Sequence, residues 1–135
     1  MSGVAFQAVQ DAIWAVLPAV FTAHGATFYK VMQPDSVLPY GSFGPFMRAD
    51  ADTKNAYGDQ IIVQIDVFTQ KAGYTLCSQI MDSVVTALLG ITSYTGYTTR
   101  RKQIGRCNIF EEEGNEVNDL VQHGIVELEL DLKEN

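Results

Sequence analysis

The chain has 135 residues, with nine Lys and Arg against sixteen Asp and Glu, a formal net charge of −7 and a sequence pI near 4.6. An acidic surface is repelled by nucleic acid and by anionic membranes unless its few cations are gathered in one place, which argues against dedicated binding to either. Two distant cysteines are too few for a disulfide-stapled scaffold, and the longest apolar stretch is too short to span a bilayer. The sequence predicts one domain over residues 1–135 in a reducing cytoplasm.

The N-terminal segment predicts an amphipathic helix. Its apolar residues recur at three- and four-residue intervals at Phe6, Val9, Ile13, Val16 and Val20. Pro18 stops or kinks this helix, because its ring disfavours the α conformation in the preceding residue. We expect a short second helix to about His24, closed by Gly25.

The middle of the chain predicts two strands and a long loop. Residues 38–46 form a short strand, and its glycines and proline favour a bulge or a sheet edge. Residues 47–58 show no periodicity and predict a loop longer than most, which is typical of functional segments. Residues 60–68 alternate apolar and polar side chains and predict a half-buried strand.

The C-terminal half predicts one helix and two strands. Residues 74–89 carry two adjacent apolar rows and predict a helix capped by Gly90. Residues 97–110 are β-like but mixed in phase, residues 111–115 read as a charged turn, and the last strand begins as early as Leu120. The predicted fold is α+β, a mainly antiparallel sheet of about four strands with two helices packed on one face.

The residue types that carry chemistry have plain structural interpretations. His24 is expected at a helix C-terminus, and His123 at the surface or edge of the last strand. Cys77 lies in the apolar stripe of the long helix, and Cys107 has no stronger case as a nucleophile. No phosphate-binding loop, nucleophile elbow or dinucleotide fingerprint occurs. The sequence predicts no catalytic residue, no cofactor and no metal site.

One basic cluster contrasts with the acidic background, namely Arg100, Arg101, Lys102 and Arg106. On a regular strand, Arg100, Lys102 and Arg106 share one face. One interpretation is a charged strand that protects a sheet edge from pairing. The other is a contact for an acidic neighbour, such as another copy of this chain, or for DNA phosphates.

The order of motifs resembles a known family. A strand that starts at Leu38-Pro39-Tyr40 and ends near Gly44 is followed by a loop, by the strand YGDQIIVQIDVF at residues 57–68, and by a short turn into the helix at 74–89. This arrangement is similar to the tail-completion proteins of long-tailed bacteriophages, also called tail terminator or minor tail proteins. The resemblance extends to about Gly90.

The resemblance implies a viral structural protein without enzymatic activity. Such proteins form a ring, commonly a hexamer, on the last ring of the tail tube, where they stop tube growth and take part in head–tail joining. The implied partners are other copies of the chain, the tail tube protein and the head–tail connector or stopper protein. DNA passes through the lumen without specific binding, and the location is the tail–neck region of the virion after assembly in the host cytoplasm.

A closed ring of identical subunits requires two different complementary patches on each copy. The first candidate patch is the predicted loop, with Met47, Arg48, Asp50, Asp52 and Tyr57. The second is the basic segment, with Arg100, Arg101, Lys102 and Arg106.

Three alternatives stay open from the residues. The first is a small α+β ligand-binding or regulatory domain that dimerises through its sheet. The second is an enzyme that uses a metal and the carboxylates of Asp50 and Asp52. The third is a neighbouring phage component, either a head-side connector or the tube subunit.

Overall fold

The structure, a computed structural model, describes residues 5–31, 37–50, 58–113 and 120–135, with the side chains of positions 49, 50, 58 and 59 outside the description. Within these residues the chain is α+β, as predicted, and no helix is long and apolar enough to cross a membrane. The elements are α1 Phe6–Trp14, α2 Leu17–Thr22, β1 Thr27–Tyr29, β2 Tyr40–Asp50, β3 Gly58–Gln70, α3 Tyr74–Gly90, β4 Tyr97–Glu113 and β5 Leu120–Glu134.

The N-terminal helix is broken into two segments, as the sequence predicts. Val9 and Ile13 are fully buried in α1, and Leu17 continues the same stripe in α2. Pro18 lies in the first turn of α2, where its missing N–H leaves no hydrogen bond unmade. Gly25 follows α2 with a φ of +74°, a backbone conformation that favours glycine and closes the helix.

The sheet has five strands in the described residues, in the order β1-β2-β3-β5-β4. All neighbours are antiparallel except β1 and β2, which are parallel. The prediction of about four strands was therefore one strand short. The missed strand is β1, whose three residues, paired from Thr27↔Tyr40 to Tyr29↔Ser42, are too few to show a period.

The predicted loop at residues 47–58 was wrong at both ends. The β2–β3 ladder continues to the pair Asp50↔Asp59, so positions 47–50 belong to β2 and position 58 to β3. Backbone pairing carries β2 beyond the point where its side chains stop alternating. The predicted irregularity in β2 is confirmed, because the register shifts between Phe43 and Phe46.

All three helical segments pack on one face of the sheet, which we call the helix face. Its centre is built from buried residues of β3 and β5 that lie directly opposite one another, namely Ile61 and Leu130, Val63 and Leu128, Ile65 and Val126, Val67 and Gly124. The period of two along each strand places these side chains on the same side. In the described part of the chain, no helix lies on the other side, which we call the helix-free face.

Helix α3 lies directly against β5 through its own apolar rows. A Cβ atom at Gly124 would meet Sδ of Met81 and would lie 3.0 Å from Sγ of Cys77, so only glycine leaves room for the helix there. The predicted cap was placed one residue early, because Gly90 is the last residue of α3 and Ile91 follows as the extended C-cap.

Strand β4 is long, and two irregularities explain its mixed hydrophobic phase. The register with β5 shifts between Thr99 and Arg101 and again between Ile104 and Cys107. The predicted turn at residues 111–115 was wrong in its first part, because residues 111–113 continue β4 and pair with the start of β5. Positions 114 and 115 lie outside the described residues.

Candidate assembly surface

The first predicted patch lies on the β2 side of the sheet. Met47 is opposite Ile62 on the helix-free face, and 55% of its surface is exposed, which is high for a large apolar side chain. Arg48 is also exposed and follows in β2. Asp50 ends β2, and its side chain lies outside the description, as do residues Asp52 and Tyr57 altogether.

The second predicted patch lies on β4, at the opposite side of the sheet. Contrary to the prediction, its cations do not share one face. Lys102 is opposite Leu130 on the helix face, whereas Arg100 bonds Asp131 on the helix-free face. Each irregularity in β4 inserts a residue and reverses the alternation of side chains, so simple counting along the sequence fails.

The four cations differ in how far their charge is neutralised. Arg100 forms an ion pair with Asp131 at 2.7 Å, and Nζ of Lys102 donates to the Ile91 carbonyl at 2.9 Å. Arg101 and Arg106 donate instead to neutral side chains on the same strand, Gln103 at 2.8 Å and Asn108 at 3.1 Å. Within the described residues only Arg100 of the four has a carboxylate partner, so Arg101, Lys102 and Arg106 each keep an unpaired positive charge.

The fold does not bring the two patches together, but it places them at the same position along the strand direction. The aligned residues Met47, Ile62, Glu129 and Gln103 form one row across β2, β3, β5 and β4. Neighbouring strands lie about 4.8 Å apart, so the two patches are separated by roughly 14 Å of sheet. Each copy thus presents two different surfaces on opposite sides at one level.

The helix-free face carries a cluster that the sequence did not predict. Nε2 of His123 lies 2.8 Å from Oδ1 of Asp66, within hydrogen-bond distance. Nδ1 lies 2.6 Å from Oε1 of Glu112, within ion-pair distance but out of line for a hydrogen bond. The His123 side chain is only 13% exposed, so its predicted place at the surface was wrong.

The two carboxylates determine the charge state of the imidazole. Burial by itself lowers the pKa of His123, because it disfavours the charged ring. The hydrogen bond and charge of Asp66, reinforced by Glu112, outweigh that effect and raise the pKa of His123 above its ordinary value of 6.5. Below this raised pKa, the protonated imidazole carries a positive charge between Asp66 of β3 and Glu112 of β4 and so links β5 to the strands on both sides of it.

A row of rings crosses the same face, with one ring from each strand. The neighbouring centroids are 6.0 Å apart for Tyr29 and Tyr40, 5.1 Å for Tyr40 and Phe68, 4.3 Å for Phe68 and His123, and 4.8 Å for His123 and Phe110. The register places these rings on adjacent strands, although the residues lie far apart in sequence. No local sequence pattern identifies such a row.

The remaining histidine and the two thiols are not brought near one another. His24 lies at the end of α2, and its Nε2 is 2.9 Å from the Ser83 hydroxyl. Burial raises the pKa of the Cys77 thiol to about 11, which disfavours the thiolate. Cys107 is exposed on β4, and its pKa is also raised, by partial burial and by the charge of Asp82. Among the described residues, no group of His, Cys, Asp and Glu is arranged to hold a metal ion.

Comparisons with known proteins agree with the motif order. A family model for the tail completion protein gp17 matches residues 7–126. Among solved structures, a chain of the "Virion of native gene transfer agent (GTA) particle" has a TM-score of 0.74 at 23% sequence identity, with 98% of this chain and 99% of that chain covered. A search of curated proteins gives no match.

The structural match extends over both chains nearly completely, and at this identity it establishes the fold. The family match covers most of the sequence and confirms the predicted resemblance. The chain belongs to the tail completion protein gp17 family, whose members are structural proteins of phage tails.

Proposed function

We propose that this protein, as one tail-terminator-like domain over residues 1–135, forms a ring that terminates the tail tube and joins it to the head connector. The ring is a hexamer bound to the tail tube protein on one side and to the connector or stopper protein on the other. The role is structural and uses no catalytic residue. The protein acts in the virion neck after assembly in the host cytoplasm.

One observation carries this proposal beyond the family match. The row from Met47 to Gln103 places two unlike surfaces on opposite sides of the sheet and at the same height. A head-to-tail contact between unlike surfaces generates a ring when the rotation closes and a filament when it does not. With the ring axis along the strands, patches at one level favour closure, because each step then adds little translation along that axis.

The charges support the same contact. The first patch contributes the carboxylates of Asp50 and Asp52, and the second contributes Arg101 and Arg106, whose guanidinium groups have only neutral partners within the described residues. Opposite charges across an interface guide association and fix its register. The net charge of −7 also supports passage of DNA through the ring without adhesion.

The test is assembly on tail tubes. Purified protein added to tubes should form one ring at the end of each tube by negative-stain microscopy, and capped tubes should then join heads. Met47→Glu should abolish capping while the circular dichroism spectrum stays unchanged, because Met47 is exposed. Tyr74→Glu is the matched control, since Tyr74 is 58% exposed on α3, away from both patches.

Two outcomes would contradict the proposal. Long tubes formed by this protein alone would identify it as a tube subunit. A protein that never associates with tubes under conditions where heads and tails join would point to the ligand-binding or regulatory alternative.

A further inference from the structure

The outer edge of β4 has no neighbouring strand in the described part of the chain. β4 is the last strand of the sheet and spans 17 residues, so one side of its backbone is available for pairing. Such an edge pairs with another strand unless its side chains prevent it. The side chains of β4 therefore determine which strand can pair with this edge.

The charges of β4 are separated along its length. Its first half carries the four cations of the basic segment, and its end carries Glu111, Glu112 and Glu113. In the described residues, Glu111 and Glu113 have no ion-pair partner, and Arg101 donates only to a neutral amide. One end of the exposed edge is thus positive and the other negative.

We propose that two copies of this chain pair through β4, antiparallel, about a two-fold axis that passes through Cys107. This register places Lys102 opposite Glu111 and Arg101 opposite Glu112 of the second copy. The symmetry repeats each pair, giving two Lys102–Glu111 and two Arg101–Glu112 contacts, in which Glu112 shares its carboxylate with His123 of its own chain, 2.6 Å away. A parallel pair in direct register would instead place like charges opposite one another, which is destabilising.

The orientation of the side chains is consistent with this register. Lys102 and Glu111 are opposite Leu130 and Gln122 of β5, which places both on the helix face. Arg101 and Glu112 are opposite Asp131 and Val121, which places both on the helix-free face. Residues directly opposite in an antiparallel ladder must share a face.

The shift near Gly105 makes this match possible. Ile104 and Cys107 are three positions apart, yet they pair with residues of β5 that are two positions apart. The additional residue brings Lys102 and Glu111, nine positions apart, onto the same face. In a regular strand of this length they would lie on opposite faces, and the pairing would place cation and anion on different sides of the sheet.

Apolar side chains extend the complementarity. In the same register Ile104 is opposite Ile109 of the second copy, and both are half-buried on the helix face. Pairing would cover what remains exposed of them. This contact closes on itself and covers the basic segment that the head-to-tail contact of the proposed ring uses, so two paired copies must separate before they enter the ring.

The experiment is sedimentation velocity of the full chain over a range of concentrations and NaCl. The wild type should form dimers that weaken as salt rises. Lys102→Glu and Glu111→Lys should each weaken dimerisation roughly tenfold, because the symmetry doubles the effect of one reversed surface charge. The double variant Lys102→Glu/Glu111→Lys should restore the dimer, since the pairs re-form with exchanged signs.

Lys71→Glu is the control, as it reverses an exposed cation outside β4. A wild type that stays monomeric at all concentrations would overturn the inference, and so would a double variant as weak as the single ones. Neither result bears on capping of tail tubes, so this inference and the proposed ring fail independently.

A covalent test fixes the register. Lys102→Cys and Glu111→Cys, combined with Cys107→Ser, should give a disulfide-linked dimer on oxidation. The two introduced thiols are nine positions apart on one strand and cannot join within a chain. Absence of the dimer, or a ladder of larger linked species, would refute the two-fold pairing.

Discussion

Replacing His123 with Gln tests whether a protonated imidazole stabilises the sheet. The folded-state pKa of His123 is raised above 6.5, so its contribution to stability is fully present below about pH 6.5. That contribution is lost as the pH rises through the folded-state pKa. We therefore expect the stability difference between wild type and His123→Gln to be largest near pH 6 and to shrink towards pH 9.

The contacts of His123 set the magnitude. A hydrogen bond to a charged group contributes about 1.5–3 kcal/mol, and an aromatic contact about 0.5–1.5 kcal/mol. His123 has such a bond to Asp66 and stacks on Phe68. The variant should lose about 2–4 kcal/mol of unfolding free energy near pH 6. At pH 9 the glutamine amide takes the place of a neutral imidazole N–H donor. The remaining stability difference should then be about 1 kcal/mol, from the lost ring contact.

Urea unfolding at several pH values measures the difference, and a proton NMR titration measures the pKa of His123 independently. Each unit by which that pKa exceeds 6.5 should correspond to about 1.4 kcal/mol of pH-dependent stability. His24→Gln gives the baseline, because His24 contacts a hydroxyl and no carboxylate within the described residues. A flat pH profile for His123→Gln, or an NMR pKa below 6.5, would refute the reasoning.

Three further results are expected from the core and the thiols. Gly124→Val should cost about 1–3 kcal/mol in urea unfolding, because its side chain would displace Met81 and Cys77 from β5; an unchanged midpoint would show that α3 moves freely. Leu128→Ala should cost about 2–5 kcal/mol by the same assay, since Leu128 is fully buried, whereas a loss below 1 kcal/mol would contradict that burial. At pH 8 a thiol reagent should label Cys107 in the native protein and Cys77 only after unfolding, and rapid labelling of both would place Cys77 at the surface.

The sequence predicted the elements whose side chains repeat regularly. The alternation of β3 and β5 and the apolar rows of α3 are periodic because each element buries one face against the same core. The spacing of apolar residues along each of these elements is therefore enough to predict it. Where the spacing is interrupted, as at residues 99–107 of β4, the strand was predicted correctly but the faces of its side chains were predicted wrongly.

The errors have a common physical origin in long-range pairing. β1 and the end of β2 are strands because their backbones meet another strand, and their own residues do not indicate it. The His123 cluster shows the effect of long-range pairing more clearly, because Asp66 lies 57 positions from His123 and only the register of β3 with β5 brings them together. The basic residues of β4 were identified from composition, whereas their individual partners depended on bulges that composition does not reveal.

The row of rings affects how the sheet opens as well as how it is held. A three-residue strand at a sheet edge ordinarily frays, and its amide protons exchange quickly with solvent. In this protein both faces of β1 have ring contacts, because Phe28 packs against Phe21 of α2 and Phe43 of β2, and Tyr29 packs against Tyr40 of β2. Release of β1 therefore disrupts aromatic contacts on both faces, so its amides should exchange together with those of β2 in one cooperative opening.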